Sequence, residues 1–99
     1  MKAIINMTII PIGVGVSLSE YVAEAQRILE GSGLDYTLHA NGTNVEGEWD
    51  AVFAVVKQCV EAIHAKGAPR VHTSLAVNTR TDRDEHMAGK IASVQAKLA

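Results

Sequence analysis

Several residue types that often carry a protein's function are scarce in this chain. It has one cysteine, Cys59, so it cannot form an intrachain disulfide, and aromatic residues make up only 4% of its 99 residues. Nine basic residues face eleven acidic ones, which gives a formal charge of −2. No basic run marks a face that could follow a nucleic-acid backbone, and no apolar run approaches the roughly 20 residues of a membrane-spanning helix. We therefore expect no nucleic acid and no membrane among its partners.

The residues that are present are typical of one small globular domain. Hydrophobic residues make up 47% of the chain, which is enough for a single core, so we predict one domain over residues 1–99. The chain begins in a strand pattern instead of a signal peptide. Cys59 lies among apolar residues at helical spacing, which indicates a buried side chain and not a nucleophile. These features together predict a cytoplasmic protein.

The first half of the chain predicts a strand followed by a helix. Residues 3–10 alternate between a fully apolar and a mixed face, and Pro11 is expected to end the strand's hydrogen bonding. Ser17 and Glu20 have the spacing of a capping box, so we predict that Ser17 caps the following helix. Gly31 and Gly33 are predicted to stop that helix.

The second half repeats this order after a hairpin. Residues 34–40 and 43–48 alternate as two strands, and Asn41-Gly42 between them predicts a two-residue type I′ turn, because both residues tolerate positive φ. A helix follows from about Trp49 to Lys66, where the apolar spacing changes from two to about 3.6 residues.

A strand at 70–78 and a last helix, for which Asp82 is the predicted N-cap, complete the chain. The order predicts an α+β ferredoxin-like βαββαβ sandwich: a four-stranded antiparallel sheet, two helices on one face, and a C-terminal helix. The uncovered sheet face would mix apolar, polar and charged side chains: Ile4, Asn6, Thr8, Ile10, Thr37, His39, Asn44, Glu46, His72, Ser74 and Ala76. Such a face is usually covered by a second subunit, so we expect at least a homodimer to which the last helix adds contacts.

Glu46 is the centre of the ligand site that the sequence predicts. Its carboxylate, near Asn and Thr donors, could accept hydrogen bonds from an amino-substituted heterocycle and balance a positive charge. A carboxylate about 4 Å from a cation gains about 4 kcal/mol at an effective dielectric near 20, before desolvation is subtracted. The alternative is that Glu46 and Glu48 only keep a sheet edge soluble.

Two other classes of function remain open from the residues alone. One is a small dimeric enzyme acting on a hydrophobic substrate, with His39 or His72 as the base. The other is a regulatory assembly module whose open sheet serves association only. A metal site is not expected, because the four histidines lack metal-ligand spacing.

The chain resembles the YkoF-like thiamine-binding proteins over nearly its whole length. The motifs that carry the resemblance are PIG after the first strand, SLSEYV at the first helix, GLDYTLHANGTNVEGEWD, RVHTSLAVNTRTDR, and KIASV in the last helix. The resemblance implies a ferredoxin-like fold, homodimers that pair into homotetramers, and non-catalytic binding of thiamine or its hydroxymethylpyrimidine part, with no cofactor required. It implies a small cationic heterocycle as ligand, since the thiazolium of thiamine is a permanent cation, and a role in salvage or buffering. The ligand-binding residues implied in this way are Thr8, Asn41, Gly42, Thr43 and Glu46, with Ser17, Ser19 and His72 as further candidates.

Overall fold

Seven elements follow one another in the computed structural model, which describes residues 1–99. They are β1 (Lys2–Ile12), α1 (Ser19–Ser32), β2 (Asp35–His39), β3 (Gly42–Glu48), α2 (Trp49–Ala65), β4 (Arg70–Asn78) and α3 (Met87–Leu98). All strand pairs are antiparallel, and the strand order in the sheet is β2-β3-β1-β4. The predicted ferredoxin-like α+β arrangement with a C-terminal helix is therefore confirmed. None of the three helices is both long and apolar enough to span a membrane.

The core lies between one face of the sheet and the two helices α1 and α2. Its largest fully buried side chains come from both layers: Ile5, Leu29, Val45, Val52, Cys59 and Ile63. Because side chains alternate along a strand, the register that buries Ile5 opposite Val45 sends Ile4 and Glu46 to the other face. The same register places Ile10 opposite His72 there, so the predicted mixed face is confirmed.

Strand β1 continues past the end of its neighbour β3. Pairing between β1 and β3 stops at Met7 and Thr43, whereas pairing between β1 and β4 continues to Ile12 and Arg70. Residues 8–12 of β1 therefore have a strand neighbour on one side only. This one-sided stretch tolerates Pro11, which has no backbone N–H to donate. The strand runs two residues beyond Ile10, where Pro11 was expected to stop it, and a notch opens beside it.

The hairpin between β2 and β3 differs from the predicted type I′ turn. His39 pairs with Gly42, so the two loop residues are Ala40 and Asn41, one position earlier than expected. Neither Asn41 nor Gly42 has a positive φ, which a type I′ turn would require. Gly42 is needed for space instead, since a Cβ there would lie 2.8 Å from Asn6 Oδ1 and 2.9 Å from the Met7 carbonyl oxygen.

The start of α1 also differs from the prediction. The helix begins at Ser19 with Leu18 in the N-cap position, and no side chain accepts a capping hydrogen bond, so Ser17 does not cap it. At its other end the helix continues through Gly31, which was predicted to stop it, whereas Gly33 ends the helix as predicted, in a left-handed conformation with φ 77°.

Helix α3 begins at Met87, so the prediction that Asp82 is its N-cap is wrong. The Asp82 carboxylate is instead paired with Arg80, whose Nε lies 2.6 Å from Oδ1. No residue of α3 is buried, and its apolar stripe is open to solvent: Ile91, Val94 and Leu98 are 58%, 59% and 80% exposed.

Candidate functional site

A cleft of about 320 Å³ opens at the notch beside β1. Its walls are the N-terminal half of α1, the stretch of β1 beyond the end of β3, and the β2–β3 turn. Ile63 of α2 also lines it. Small-molecule sites in proteins commonly have volumes of about 300–1,000 Å³ and mostly apolar walls with a few placed polar groups. The cleft fits this description, because nine of its fifteen lining residues are hydrophobic.

A chain of hydrogen bonds ties the hairpin turn to β1 at the rim of the cleft. Thr8 Oγ1 donates to the Asn41 carbonyl oxygen at 3.1 Å, and the Asn41 backbone N–H donates to His39 Nδ1 at 3.3 Å. The other ring nitrogen, Nε2, lies 3.1 Å from Asn6 Oδ1. Since a backbone N–H can only donate, Nδ1 is the unprotonated nitrogen and Nε2 carries the hydrogen that Asn6 accepts.

A second polar pair links α1 to β3 inside the cleft. Gln26 Nε2 donates to Thr43 Oγ1 at 3.0 Å, and Thr43 is only 4% exposed. A hydroxyl that accepts one hydrogen bond can still donate its own hydrogen, and the Gln26 amide oxygen can accept. The pair therefore offers a donor and an acceptor to a planar ligand that carries both kinds of group.

The lining of the cleft carries no fixed charge. None of its lining residues is Asp, Glu, Lys or Arg, and His39 is its one titratable side chain. Along the part of β1 beyond β3, backbone N–H and C=O groups alternate in direction, so some of them point toward the notch. The site can thus select a ligand by hydrogen bonds and apolar contact, without a fixed counter-charge.

The structure brings together four of the residues that the sequence proposed for ligand binding. Thr8, Asn41, Gly42 and Thr43 all line the cleft. The other candidates lie elsewhere: Ser17 is exposed in the loop before α1, Ser19 lines a separate shallow depression, and His72 is exposed on the open face of β4.

Glu46 also lies outside the cleft, at the other end of β3. It lies four positions along the extended strand from Gly42, a span of about 13 Å. Its side chain is 12% exposed, and Oε2 accepts a hydrogen bond from the Met87 backbone N–H at 2.8 Å. Oε1 is 3.7 Å from His86 Nδ1. In this position the carboxylate binds the first free amide of α3, where the helix dipole favours negative charge.

The sequence reasoning predicted four of the fifteen lining residues as ligand contacts and missed the other eleven. Among them, Leu18 immediately precedes α1, Gln26 belongs to that helix, and His39 was not one of the predicted ligand-binding residues. The inward position of Gln26 could have been predicted from the sequence. Gln26 follows Val22 by four residues and so lies on the inward apolar face of the helix. His39 lies next to the turn whose position was misplaced by one residue.

Cys59 has no part in this site. It is fully buried, its thiol lies 3.7 Å from the Ala25 carbonyl oxygen, and burial raises its pKa to about 11. A thiol with so high a pKa is protonated and therefore a poor nucleophile at neutral pH. The interpretation of Cys59 as a core side chain is confirmed.

The fold and the cleft together define a class of protein: a ferredoxin-like domain with a small, uncharged cleft between its first helix and its β2–β3 hairpin. A family model described as thiamine-binding protein matches residues 5–95. The chain belongs to the thiamine-binding protein family.

Several relatives and solved structures are similar to this chain over most of its length. A UPF0045 protein of Synechocystis is 51% identical over 98 residues, which cover 99% of this chain and 81% of the relative. A UPF0045 protein of Bacillus subtilis is 41% identical over 101 residues, 97% of each chain. A Methanocaldococcus jannaschii structure has a TM-score of 0.88 at 28% identity, covering 95% of this chain and 96% of that one. A Thermotoga maritima protein, for which a role in thiamine biosynthesis or salvage has been suggested, shares the fold with a TM-score of 0.82 at 19% identity, covering 95% and 99% of the chains.

Proposed function

We propose that this protein binds thiamine or its hydroxymethylpyrimidine part without changing it chemically, in a homo-oligomer, as a salvage or buffering protein. The cleft between α1 and the hairpin carries the proposal, because it combines apolar walls with paired hydrogen-bonding groups. The family supports the choice of ligand. So does the role in thiamine biosynthesis or salvage that has been suggested for the Thermotoga maritima protein.

An aminopyrimidine matches the groups that the cleft offers. Its flat ring suits the apolar walls, and its ring nitrogens and exocyclic amine are acceptors and donors. The Thr43 hydroxyl and the Gln26 amide oxygen supply complementary groups. Micromolar affinity requires about 8 kcal/mol. With no charged side chain in the lining, this free energy has to come from apolar contact and hydrogen bonds.

The thiazolium end of thiamine is best placed at the mouth of the cleft. A permanent cation loses its hydration free energy when it is buried, and only a paired opposite charge compensates for that loss. Glu46, which the sequence suggested for this pairing, is engaged by the Met87 amide instead. We therefore place the pyrimidine inside the cleft and leave the thiazolium in contact with water.

The geometry of the two histidines favours binding over catalysis. Both ring nitrogens of His39 are already hydrogen-bonded, one to Asn41 and one to Asn6. His72 lies away from the cleft on the open face of β4. Neither imidazole offers a free nitrogen inside the cleft, which argues against a base-catalysed reaction of a ligand bound there.

Isothermal titration of the purified protein with hydroxymethylpyrimidine and with thiamine tests the proposal. We expect micromolar or tighter binding of both, weakened about tenfold by Thr43→Val, because loss of one satisfied hydrogen bond costs about 1–1.5 kcal/mol. Thr73→Val is the matched control, since Thr73 lies on the same sheet face, on β4, outside the cleft.

Two outcomes would count against the proposal. No binding of either compound to the folded protein would rule out this ligand. Equal losses from Thr43→Val and Thr73→Val would place the site elsewhere.

A further inference from the structure

Asn41 is held from both sides at the rim of the cleft. Its N–H donates to His39 Nδ1 and its carbonyl accepts from Thr8 Oγ1, at 3.3 and 3.1 Å. His39 is in turn fixed by Asn6, 3.1 Å from Nε2. These contacts join the turn to β1 across the point where β3 begins. The conformation of this wall of the cleft therefore depends on one imidazole.

Only one protonation state of His39 satisfies both of its contacts. The Asn41 N–H requires an unprotonated Nδ1, and Asn6 Oδ1 then requires a hydrogen on Nε2. In the imidazolium both ring nitrogens are donors, so the Nδ1–H would face the Asn41 N–H with no acceptor between them. The turn or the ring has to move when His39 becomes charged.

A movement of the turn changes the shape of the cleft, because the turn residues form part of the cleft wall. Ala40, Asn41 and Gly42 all line the cleft. Gly42 lies so close to β1 that a Cβ would be 2.8 Å from Asn6 Oδ1 and 3.1 Å from Thr8 Oγ1. Gly42 is packed so closely against β1 that it has to move when the neighbouring residue Asn41 is displaced.

From these contacts we propose that His39 is a positioning residue that shapes the ligand cleft only in its neutral form, so that ligand affinity falls as the pH is lowered. The proposal rests on the proposed function for the identity of the ligand, but the contacts of His39 exist in the free protein. Histidine is the side chain that commonly changes charge between pH 5 and 8. Acidification within that window is therefore expected to empty the cleft.

No charged side chain lies directly beside His39 on the neighbouring elements. On the open face, β3 presents Gly42 and then Asn44, and β1 presents Asn6 and Thr8. The carboxylates of Asp35 on β2 and Glu46 on β3 lie about 13 Å farther along the strands, and His72 belongs to β4 at the far edge of the sheet. The lining contributed by α1 and α2 has no charged group.

The first test uses nuclear magnetic resonance on the free protein and needs no ligand. At pH 8 the imidazole ¹⁵N shifts of His39 should show the hydrogen on Nε2, and the Asn41 amide shift should titrate with the ring as the pH falls to 5. A hydrogen on Nδ1, or an Asn41 amide that ignores the titration of His39, overturns the proposal.

The second test measures binding of hydroxymethylpyrimidine from pH 8 to pH 5 in the unaltered protein and in His39→Asn. An Asn side chain can accept from the backbone N–H two residues later, as in an Asx-turn, and does not titrate. Since the ligand's own ring can take a proton, the two proteins are compared at each pH. The ratio of their dissociation constants should be flat at high pH and rise about tenfold per unit below the midpoint. A ratio that stays constant overturns the proposal.

A third test separates positioning from a purely structural role. Asn6→Asp places a carboxylate against Nε2, which favours the charged imidazole and should move the midpoint of the binding profile up by about one pH unit. An unmoved midpoint contradicts the proposal. Failure of the pyrimidine to bind at any pH would instead defeat the proposed function, and the resonance experiment would still decide the role of His39.

Discussion

At the scale of single residues, Gly42 shows a close approach that only glycine permits. Ala at this position would bring its Cβ within 3.0 Å of Asn6 Oδ1 and of the Met7 carbonyl oxygen, and the latter belongs to the backbone and cannot rotate away. We expect Gly42→Ala to lower the free energy of unfolding by about 1–3 kcal/mol, the usual cost of overpacking. It should also weaken ligand binding, because the turn is pushed away from β1. Chemical denaturation and titration calorimetry would measure the two effects.

Gly31 is the matched control for that substitution. It lies within α1, has no positive φ, and a Cβ there meets nothing within 4 Å. Gly31→Ala should therefore raise stability by up to about 1 kcal/mol through the higher helix propensity of alanine. If the two substitutions had similar effects, the close packing at Gly42 would not be what requires glycine.

The sequence correctly indicated a turn near Asn41-Gly42, but the predicted reason for the glycine was wrong. The dipeptide pattern predicts positive φ at both residues, yet Gly42 is the first paired residue of β3 and is constrained by space. Conformation-based rules consider neighbours in the chain, whereas the atoms that exclude a Cβ here belong to β1, more than 30 residues earlier in the sequence. Such a contact appears only after the strands have been paired.

At the scale of elements, the start of α3 depends on a carboxylate from the sheet. Glu46→Ala removes the acceptor for the Met87 amide, and loss of a comparable cap costs about 1 kcal/mol. Because α3 buries none of its residues, this cost should appear as local fraying. We expect faster amide hydrogen exchange throughout the first turn of α3, with pyrimidine binding within about twofold of the unaltered protein.

Glu48→Ala is the control for this change, since Glu48 lies on the same strand and pairs with the terminal amine at 3.1 Å. Its removal should leave exchange in α3 unchanged. A large loss of ligand affinity in Glu46→Ala with an intact α3 would show that this carboxylate acts on the ligand, as the sequence alone suggested.

The connection between β4 and α3 contains a carboxylate with a strongly perturbed titration. A hydrogen bond from Arg80 lowers the pKa of Asp82 to about 2. A lowered pKa means that the pairing is fully present above the ordinary value near 3.8 and is lost as the pH falls through about 2. A titration followed by the Asp82 carboxyl ¹³C shift should therefore have its midpoint near pH 2.

Arg80→Gln should return that midpoint close to the ordinary value, because the direct hydrogen bond is the largest cause of the shift. Arg83→Gln should move it much less, since Arg83 acts only through its charge and is the weakest cause. Equal effects of the two variants would contradict a specific Arg80 pair.

The order and faces of the elements could be predicted because they follow from local spacing. Alternation over residues 3–10, 34–40, 43–48 and 70–78 identified the four strands, and the 3.6-residue spacing identified both main helices. The cleft could not be predicted in the same way. It lies where β1 extends past the end of β3, and the position of that end depends on the pairing register of the strands. The role of Glu46 was missed for a related reason, since its partner Met87 is 41 residues away.

At the scale of the whole molecule, a single chain leaves apolar side chains exposed on two surfaces. Its radius of gyration is 14.7 Å, whereas a compact domain of this length would have about 12.6 Å. The excess is consistent with α3 standing away from the sheet, with no residue buried. On the open sheet face Ile10 and Ile12 are 39% and 41% exposed. A second copy of the chain could cover both surfaces, which supports the proposed homo-oligomer.

The apolar stripe of α3 gives this proposal a direct test. Light scattering after size-exclusion chromatography should yield a multiple of the 10.6 kDa protomer mass. The double variant Ile91→Lys, Val94→Lys should shift the mass toward the protomer, because two charges in an apolar interface each lose their hydration. Ala96→Lys is the control, since 100° per residue places it on the opposite side of the helix. A protomer mass for the unaltered protein would contradict the oligomer, and a shift with Ala96→Lys alone would assign the interface to the other side of α3.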